Sequence, residues 1–290
     1  RVLRVLRVCV CVCVCVSVCL RVCPFVLLGA CLGVSTSSQV GLLAAALRDP
    51  LDALVAQTEG SLGAVLEVSL RNAGASRSVD LATVLSFTEV SATDPAFTNP
   101  CKRIGAELTD LVEAEREGWT VVKTGPHSYR RVVASPEPLR IVQQPAIEAL
   151  LDAGMVVIAV GGGGVPVVAD PADGTLVPVQ AVVDKDLASA LLADALGCRL
   201  LVLATDTPVL AGFGTAGARS VGATTPRLLA KECGAFEAGT MGPKVEAATR
   251  FVEQSGAGAG GPSVRRRAAI DRKARGHPRA RARRVRNADS

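Results

Sequence analysis

Four consecutive glycines, Gly161, Gly162, Gly163 and Gly164, stand immediately before Val165-Pro166. Without Cβ atoms, such a run lets the backbone approach a ligand closely, and its N–H groups can cradle an anion. Most glycine runs in loops serve conformation alone, so the run needs partners before it signifies chemistry. Its spacing fits neither G-x-x-x-x-G-K-[ST] nor G-x-G-x-x-G, which excludes the Walker and Rossmann phosphate loops. Two lysines supply the partners. Lys185 sits between Asp184 and Asp186 where a helical pattern begins. A lone lysine there usually stays solvated, and a cation at a helix N-terminus is unfavourable by about 0.3–1 kcal/mol. An acid on either side can hold the ammonium in position for a task. Lys244 sits likewise at a helix start, behind Gly242-Pro243. Phosphoryl transfer asks chiefly for positioning and charge neutralisation, which lysines and backbone amides provide. His127 and His277 have no ligand partner at metal spacing, so neither a protein-built metal site nor a Ser-His-Asp site is expected.

The elements that must position these groups alternate in helical and strand patterns from residue 39 to about 252. Residues 40–47 read as a helix, and a second follows Pro50 through Gly60 to Leu70. Residues 81–90 read as one strand. A loop-rich insertion over 94–138 holds the only Trp and the only Tyr, Trp119 and Tyr129. Residues 146–153 form a helix ended by Gly154, and the apolar run 155–160 has the character of a central parallel strand leading into the glycines. Leu187, Leu191, Leu192 and Ala195 fall at helical spacing after Asp184, with Gly197 as the C-terminal cap. Residues 200–204 form a buried strand entering Thr205-Asp206-Thr207-Pro208, and the last helix runs from Val245 to about Glu253. This cadence predicts an α/β fold, a parallel sheet covered on both faces, with ligands beyond the carboxyl ends of its strands.

The 290 residues are 49% hydrophobic and 3% aromatic, enough for one sizeable core. The net charge of +5 belongs to the ends. Removing the four arginines of 1–31 and the 11 Lys/Arg of 263–290 from 32 leaves 17, while 27 acids less two leaves 25. The body is therefore acidic, which argues against the whole protein as a nucleic-acid binder. Seven of the ten cysteines lie between Cys9 and Cys31, and Cys101, Cys198 and Cys233 are scattered. That is no disulfide framework; it fits a reducing compartment, with the cytoplasm as the expected location.

Residues 8–16 alternate Val and Cys with the period of a β-strand, but a simple T/G nucleotide repeat also translates this way. An organellar targeting segment is the other reading of this apolar, arginine-bearing stretch. Arg21, costing about 2.5–3.5 kcal/mol at a membrane centre, and Pro24 argue against a spanning helix. Residues 1–34 are accordingly assigned to a low-complexity segment outside the fold. Residues 254–290, which include the flexible break Gly256-Ala257-Gly258-Ala259-Gly260-Gly261-Pro262, read as a basic disordered tail, because no aromatics interleave its arginines.

Several ordered segments resemble carbamate kinases of the amino-acid-kinase family. They are Gln39-Val40-Gly41-Leu42-Leu43, Pro50-Leu51-Asp52 with Gln57-Thr58-Glu59-Gly60, and Asp94-Pro95-Ala96-Phe97-Thr98-Asn99-Pro100. Tyr129-Arg130-Arg131-Val132-Val133, Ser135-Pro136-Glu137-Pro138, the glycine run, Asp184-Lys185-Asp186-Leu187-Ala188 and Met241-Gly242-Pro243-Lys244-Val245-Glu246 continue the series. The resemblance implies a three-layer α/β/α sandwich over 35–253 with a mainly parallel central sheet, a small protruding subdomain at 94–138, and a homodimer. It implies reversible phosphoryl transfer between carbamoyl phosphate and ADP, giving ATP and carbamate, with Mg²⁺, and no membrane or nucleic-acid partner. By motif, Lys185 would neutralise the transferred group and Asp186 orient the lysines. Lys244 would grip the nucleotide phosphates beside Met241, Gly242 and Pro243. Lys102 and Gly161, Gly162, Gly163 and Gly164 would bind substrate, and Thr205 and Asp206 would lie near the nucleotide.

The sequence also departs from the family. No Gly-Gly-Asn-Ala type loop occurs in residues 1–38, and Val34-Ser35-Thr36-Ser37-Ser38 stands where the family has His-Gly-Asn-Gly-Pro. The family's N-terminal strand with its loops and its C-terminal strand are thus expected to be lost. Two alternatives stay open beside an active kinase: an inactive truncated or degenerate homologue, or a basic-tailed binding protein on that scaffold.

Overall fold

A computed structural model of the protein describes residues 8–13, 26–31, 50–73, 79–205, 208–233, 241–254 and 267–272. Along the chain run β1 (Val8–Cys13), β2 (Val26–Cys31), α1 (Leu51–Asn72), β3 (Leu81–Val84), β4 (Phe87–Val90), β5 (Lys102–Leu108), α2 (Val112–Arg116), β6 (Val121–Gly125), β7 (Ser128–Val133) and β8 (Pro138–Ile141). There follow α3 (Gln144–Asp152), β9 (Val156–Ala159), β10 (Val165–Ala169), β11 (Leu176–Pro178), α4 (Lys185–Ala195), β12 (Leu200–Thr205), β13 (Leu210–Ala211), β14 (Arg219–Ser220), α5 (Pro226–Cys233), α6 (Gly242–Glu253) and β15 (Arg267–Arg272).

The main sheet has the order β15-β12-β1-β2-β9-β3, and every pairing in it is parallel. Strand β9 shows how it is covered. All four of its residues are apolar and buried. Val157 and Ala159 join a core with Ile147 and Leu151 of α3, Leu192 of α4 and Phe251 of α6. Ile158, alternating to the opposite face, lines a small cavity with Leu62 and Gly63 of α1. A sheet between two helical layers is the α/β architecture the chain's cadence predicts. Helix α1 supplies its layer because Leu51, Leu54, Val55, Leu62, Leu66 and Leu70 fall on one face of the helix and are buried. Its first free amide, Leu51 N, donates to Gln180 Oε1 at 2.7 Å. Close packing onto β3 requires Gly63, where a Cβ would meet Thr83 Cγ2 at 2.3 Å.

A mixed sheet, β11-β10-β4-β8, stands beside the main one, and the antiparallel sheet β5-β7-β6 lies within residues 94–138. Arg131 stacks over the Trp119 ring there, 4.5 Å from its centroid.

Three expectations need correction. Residues 1–34, set outside the fold on composition, contribute β1 and β2 to the middle of the sheet. Cysteine behaves as a small hydrophobe, so an unbroken Val/Cys run suits a parallel strand covered on both faces. Residues 254–290, read as a tail, contribute β15 to the sheet's edge, where Ala268 packs against the core. Residues 81–90 form two strands in different sheets, broken at Leu85-Ser86, because the fully buried Ser86 spends its polar groups on the turn. The helix expected over 40–47 lies outside the described residues.

Candidate phosphoryl-transfer site

Strand β9 ends at Ala159, and the chain turns sharply through Val160, whose φ of 58° and ψ of 34° are left-handed. For a β-branched residue this is a true outlier, costing about 1–3 kcal/mol. A single 3-10 turn, Gly161–Gly163, follows. Gly162, Gly163 and Gly164 have φ of 72°, 113° and 78°. Two of them are also close-packed. A Cβ on Gly163 would stand 2.4 Å from Val183 O, and one on Gly164 would stand 2.4 Å from Thr88 Oγ1. The loop therefore abuts the residue that precedes Asp184, and so the glycine run and the lysine cluster meet in one place.

Asp184 opens α4. Its Oδ1 accepts from Asp186 N at 2.9 Å and Leu187 N at 3.4 Å, the arrangement of a helix N-cap. Its Oδ2 accepts from Lys102 Nζ at 2.5 Å, across 82 residues of sequence. Burial works to raise the Asp184 pKa, but the ammonium charges of Lys102 and Lys185 prevail and hold it down to about 2. Asp186, in the first turn of α4, takes Lys244 Nζ on both oxygens, at 3.0 and 2.8 Å. The Lys244 and Asp186 side chains are only 8% and 4% exposed. Lys185, half-buried, lies between the two acids. Each acid flanking Lys185 thus holds a lysine from a distant element, β5 for one and α6 for the other. Three ammonium groups gathered by two carboxylates, against a loop of backbone amides, can neutralise a phosphoryl group as charge moves across it.

Of the residues singled out in the sequence, Lys102, Lys185, Asp186, Lys244, Gly161, Gly162, Gly163 and Gly164 fall in this assembly. Gly242 and Pro243 form the first turn of α6 behind Met241, which packs on Val209, Leu229 and Val245. Thr205 ends β12 and is buried. Asp206 lies outside the described residues. Among the described residues no three of His, Cys, Asp and Glu cluster as metal ligands.

Two residues of the assembly escape the sequence argument. Asp184 registers there only as a flank of Lys185, although an Asp before a helical run is itself a capping signal. Glu59 is the other. It is 4% exposed, and its Oε1 accepts from Gly161 N at 3.0 Å and Ser86 N at 3.2 Å. Burial pushes its carboxyl up to about 8, against the opposing pull of those two amides and of the Ser86 side chain. Its signal was an acid on the apolar face of α1, between Val55 and Leu62.

Comparison with known proteins identifies the chain's relatives. The model of the amino acid kinase family matches residues 63–259. A carbamate kinase of Rhizobium meliloti (strain 1021) is 46% identical over 231 residues, covering 75% of this chain and 70% of that protein. The carbamate kinase of Haemophilus influenzae is 42% identical over 230 residues, covering 75% and 72%. Among solved structures, the Giardia lamblia carbamate kinase bound to AMP-PNP superposes with a TM-score of 0.66 at 30% identity, covering 79% of this chain and 75% of that one. Family model and relatives converge: the chain belongs to the amino acid kinase family.

Proposed function

We propose that the chain is a carbamate kinase, a phosphotransferase that moves a phosphoryl group between carbamoyl phosphate and ADP. The observation that carries the reading is the pairing of Lys102 with Asp184 and Lys244 with Asp186 on either side of Lys185, against the glycine loop. In the direction of ATP formation, a β-phosphate oxygen of ADP forms the new P–O bond. The bond from phosphorus to the carbamoyl oxygen breaks, and carbamate leaves as an anion with no proton to be supplied. Negative charge leaves the ADP oxygen as the new bond forms and develops on the carbamoyl oxygen as the old one breaks, so the protein's task is to gather cations and amides around them.

In this reading Lys185 meets the transferred group, with Asp184 and Asp186 fixing the lysines on either side. Lys102 serves the carbamoyl end, and the amides of Gly161, Gly162, Gly163 and Gly164 line the phosphate path. Lys244 grips the nucleotide phosphates, with Met241, Gly242, Pro243, Thr205 and Asp206 on the nucleotide side. The AMP-PNP complex of the Giardia relative supports nucleotide as the second substrate. Both acids at the centre accept from lysines, a donor set suited to Mg²⁺ carried largely by the nucleotide's own phosphates. Bound there, the ion would neutralise phosphate charge and align the phosphates. A homodimer in the cytoplasm completes the reading by family likeness. Among the described residues no helix is long and apolar enough to cross a membrane.

The test is ATP formation from ADP, Mg²⁺ and carbamoyl phosphate by the purified chain beside its Lys185→Ala variant. The expected result is turnover that falls by about 10²–10³ in the variant, the range for removing one transition-state donor. A folded chain that makes no ATP overturns the proposal.

A further inference from the structure

The turn that carries the glycines holds a conformation its own residues disfavour, since Val160 is the one non-glycine with positive φ among the described residues. Such a backbone persists only where its surroundings over-determine it. Three buried polar residues do so. Ser86 Oγ accepts from Val160 N at 2.8 Å, and Glu59 Oε1 accepts from Gly161 N. Thr88 Oγ1 donates to Gly163 O at 2.6 Å. Glu59 also accepts from Ser86 N, so one oxygen orients both the loop and the serine that holds it. Its other oxygen, Oε2, is buried with no hydrogen-bond partner among the described residues. Keeping an acid in the core disfavours folding, and the loop is where its bonded oxygen acts.

The geometry points to Glu59 as a positioning residue: through Gly161 N and Ser86 it sets the aim of the loop amides for phosphoryl transfer. Among the described residues the hydrogen bonds of Glu59 run to the loop and to Ser86, so it acts through the loop. This inference rests on the phosphoryl-transfer reading of the site. A purely structural role, satisfying two amides in a core turn, would affect stability without favouring one kinetic constant. Burial raises the carboxyl pKa, so the group facing both amides near neutral pH is largely the neutral acid, for which glutamine is the isostere.

The experiment uses the full chain with Glu59→Gln, Glu59→Leu and Ser86→Ala. Hydrogen exchange of the amides from 160 to 164 is followed without ligand, and kcat and KM are measured for ADP and carbamoyl phosphate. Glu59→Leu is expected to speed exchange at Gly161 at least tenfold and to lower kcat at least tenfold, with KM for ADP within threefold. Glu59→Gln, which keeps a carbonyl acceptor in place, should hold both within threefold of the parent. Ser86→Ala should side with the leucine variant, and it carries the test if that variant does not fold. A folded Glu59→Leu with parental exchange and kcat overturns the inference, as does a glutamine variant as impaired as the leucine one. If the parent chain makes no ATP, the kinase reading fails on its own. Exchange at Gly161 then judges the clamp, and parental exchange in Glu59→Leu overturns it.

Discussion

Replacing Asp186 by Asn, Lys244 by Met, and the pair by Leu and Met separates what the buried ion pair does for the fold from what it does for the chemistry. Both side chains are nearly inaccessible, and the ammonium reaches both carboxylate oxygens. Removing one partner from such a pair leaves the other charge desolvated, which costs about 3–5 kcal/mol. Asp186→Asn should sit near the lower end, because asparagine still offers an oxygen to Nζ. Lys244→Met should sit higher, since it takes the ammonium away from both oxygens of a carboxylate that is 4% exposed. Two apolar residues of similar volume remove both charges together, and such replacements are often neutral or stabilising. Asp186→Leu/Lys244→Met should therefore recover at least half of the Lys244→Met loss. Urea unfolding at pH 7, compared at constant m-value, reads these differences. ATP formation should be lost in all three variants, including the stable double one. Single variants costing under about 1 kcal/mol, or a double variant as costly as the two singles together, would refute the account of a desolvated pair.

Asp184, held down to about 2 from 3.8, should contribute about 2 kcal/mol that is present above pH 3.8 and lost as pH falls toward 2. Lys102→Met should move this acid limb to higher pH in thermal melts. Glu59 has the opposite sign. Raised from 4.5 to about 8, it leaves the fold most favoured below pH 4.5 and less so as pH climbs to 8, by at most about 1.4 kcal/mol per pH unit. Glu59→Gln should flatten that slope, giving a Tm above the parent's at pH 8 but not at pH 4; parallel Tm curves would contradict it. Gly163→Ala must displace Val183 O at a φ of 113°, so a loss above about 2 kcal/mol is expected. Gly174→Ala, with positive φ but open space, should cost only about 1–2 kcal/mol. Equal losses in urea melts would show that crowding at Gly163 is not the determinant.

Local signals carried much of the fold and half of the site. The apolar run before the glycines, the leucine ladder of α1 and the acid-flanked Lys185 each advertise themselves within a single element. What stayed hidden depends on distant partners. Ser86 breaks its strand because Glu59 and Val160, 27 residues before and 74 after it, use its polar groups. Lys102 finds Asp184 only once β5 is folded against the start of α4. The Val/Cys alternation of residues 8–16 has the period of a strand, but its simplicity disguises that meaning. In 267–272, arginines obscure a short edge strand that needs only Ala268 against the core.

The parallel register of β1 with β12 has a consequence for the order of assembly. Val8 pairs with Leu200, so the central seam joins residues about 190 apart in the chain. Synthesis at 5–20 residues per second leaves β1 waiting about 10–40 s for that neighbour. During the wait, a Val/Cys strand without charge has an open edge and the composition that favours association with other chains. Closure of such a long loop is also intrinsically slow once both strands exist. Production of this protein should therefore be limited by kinetic partition at the seam, and slower synthesis at lower temperature with chaperones that cover extended apolar segments should raise the soluble yield.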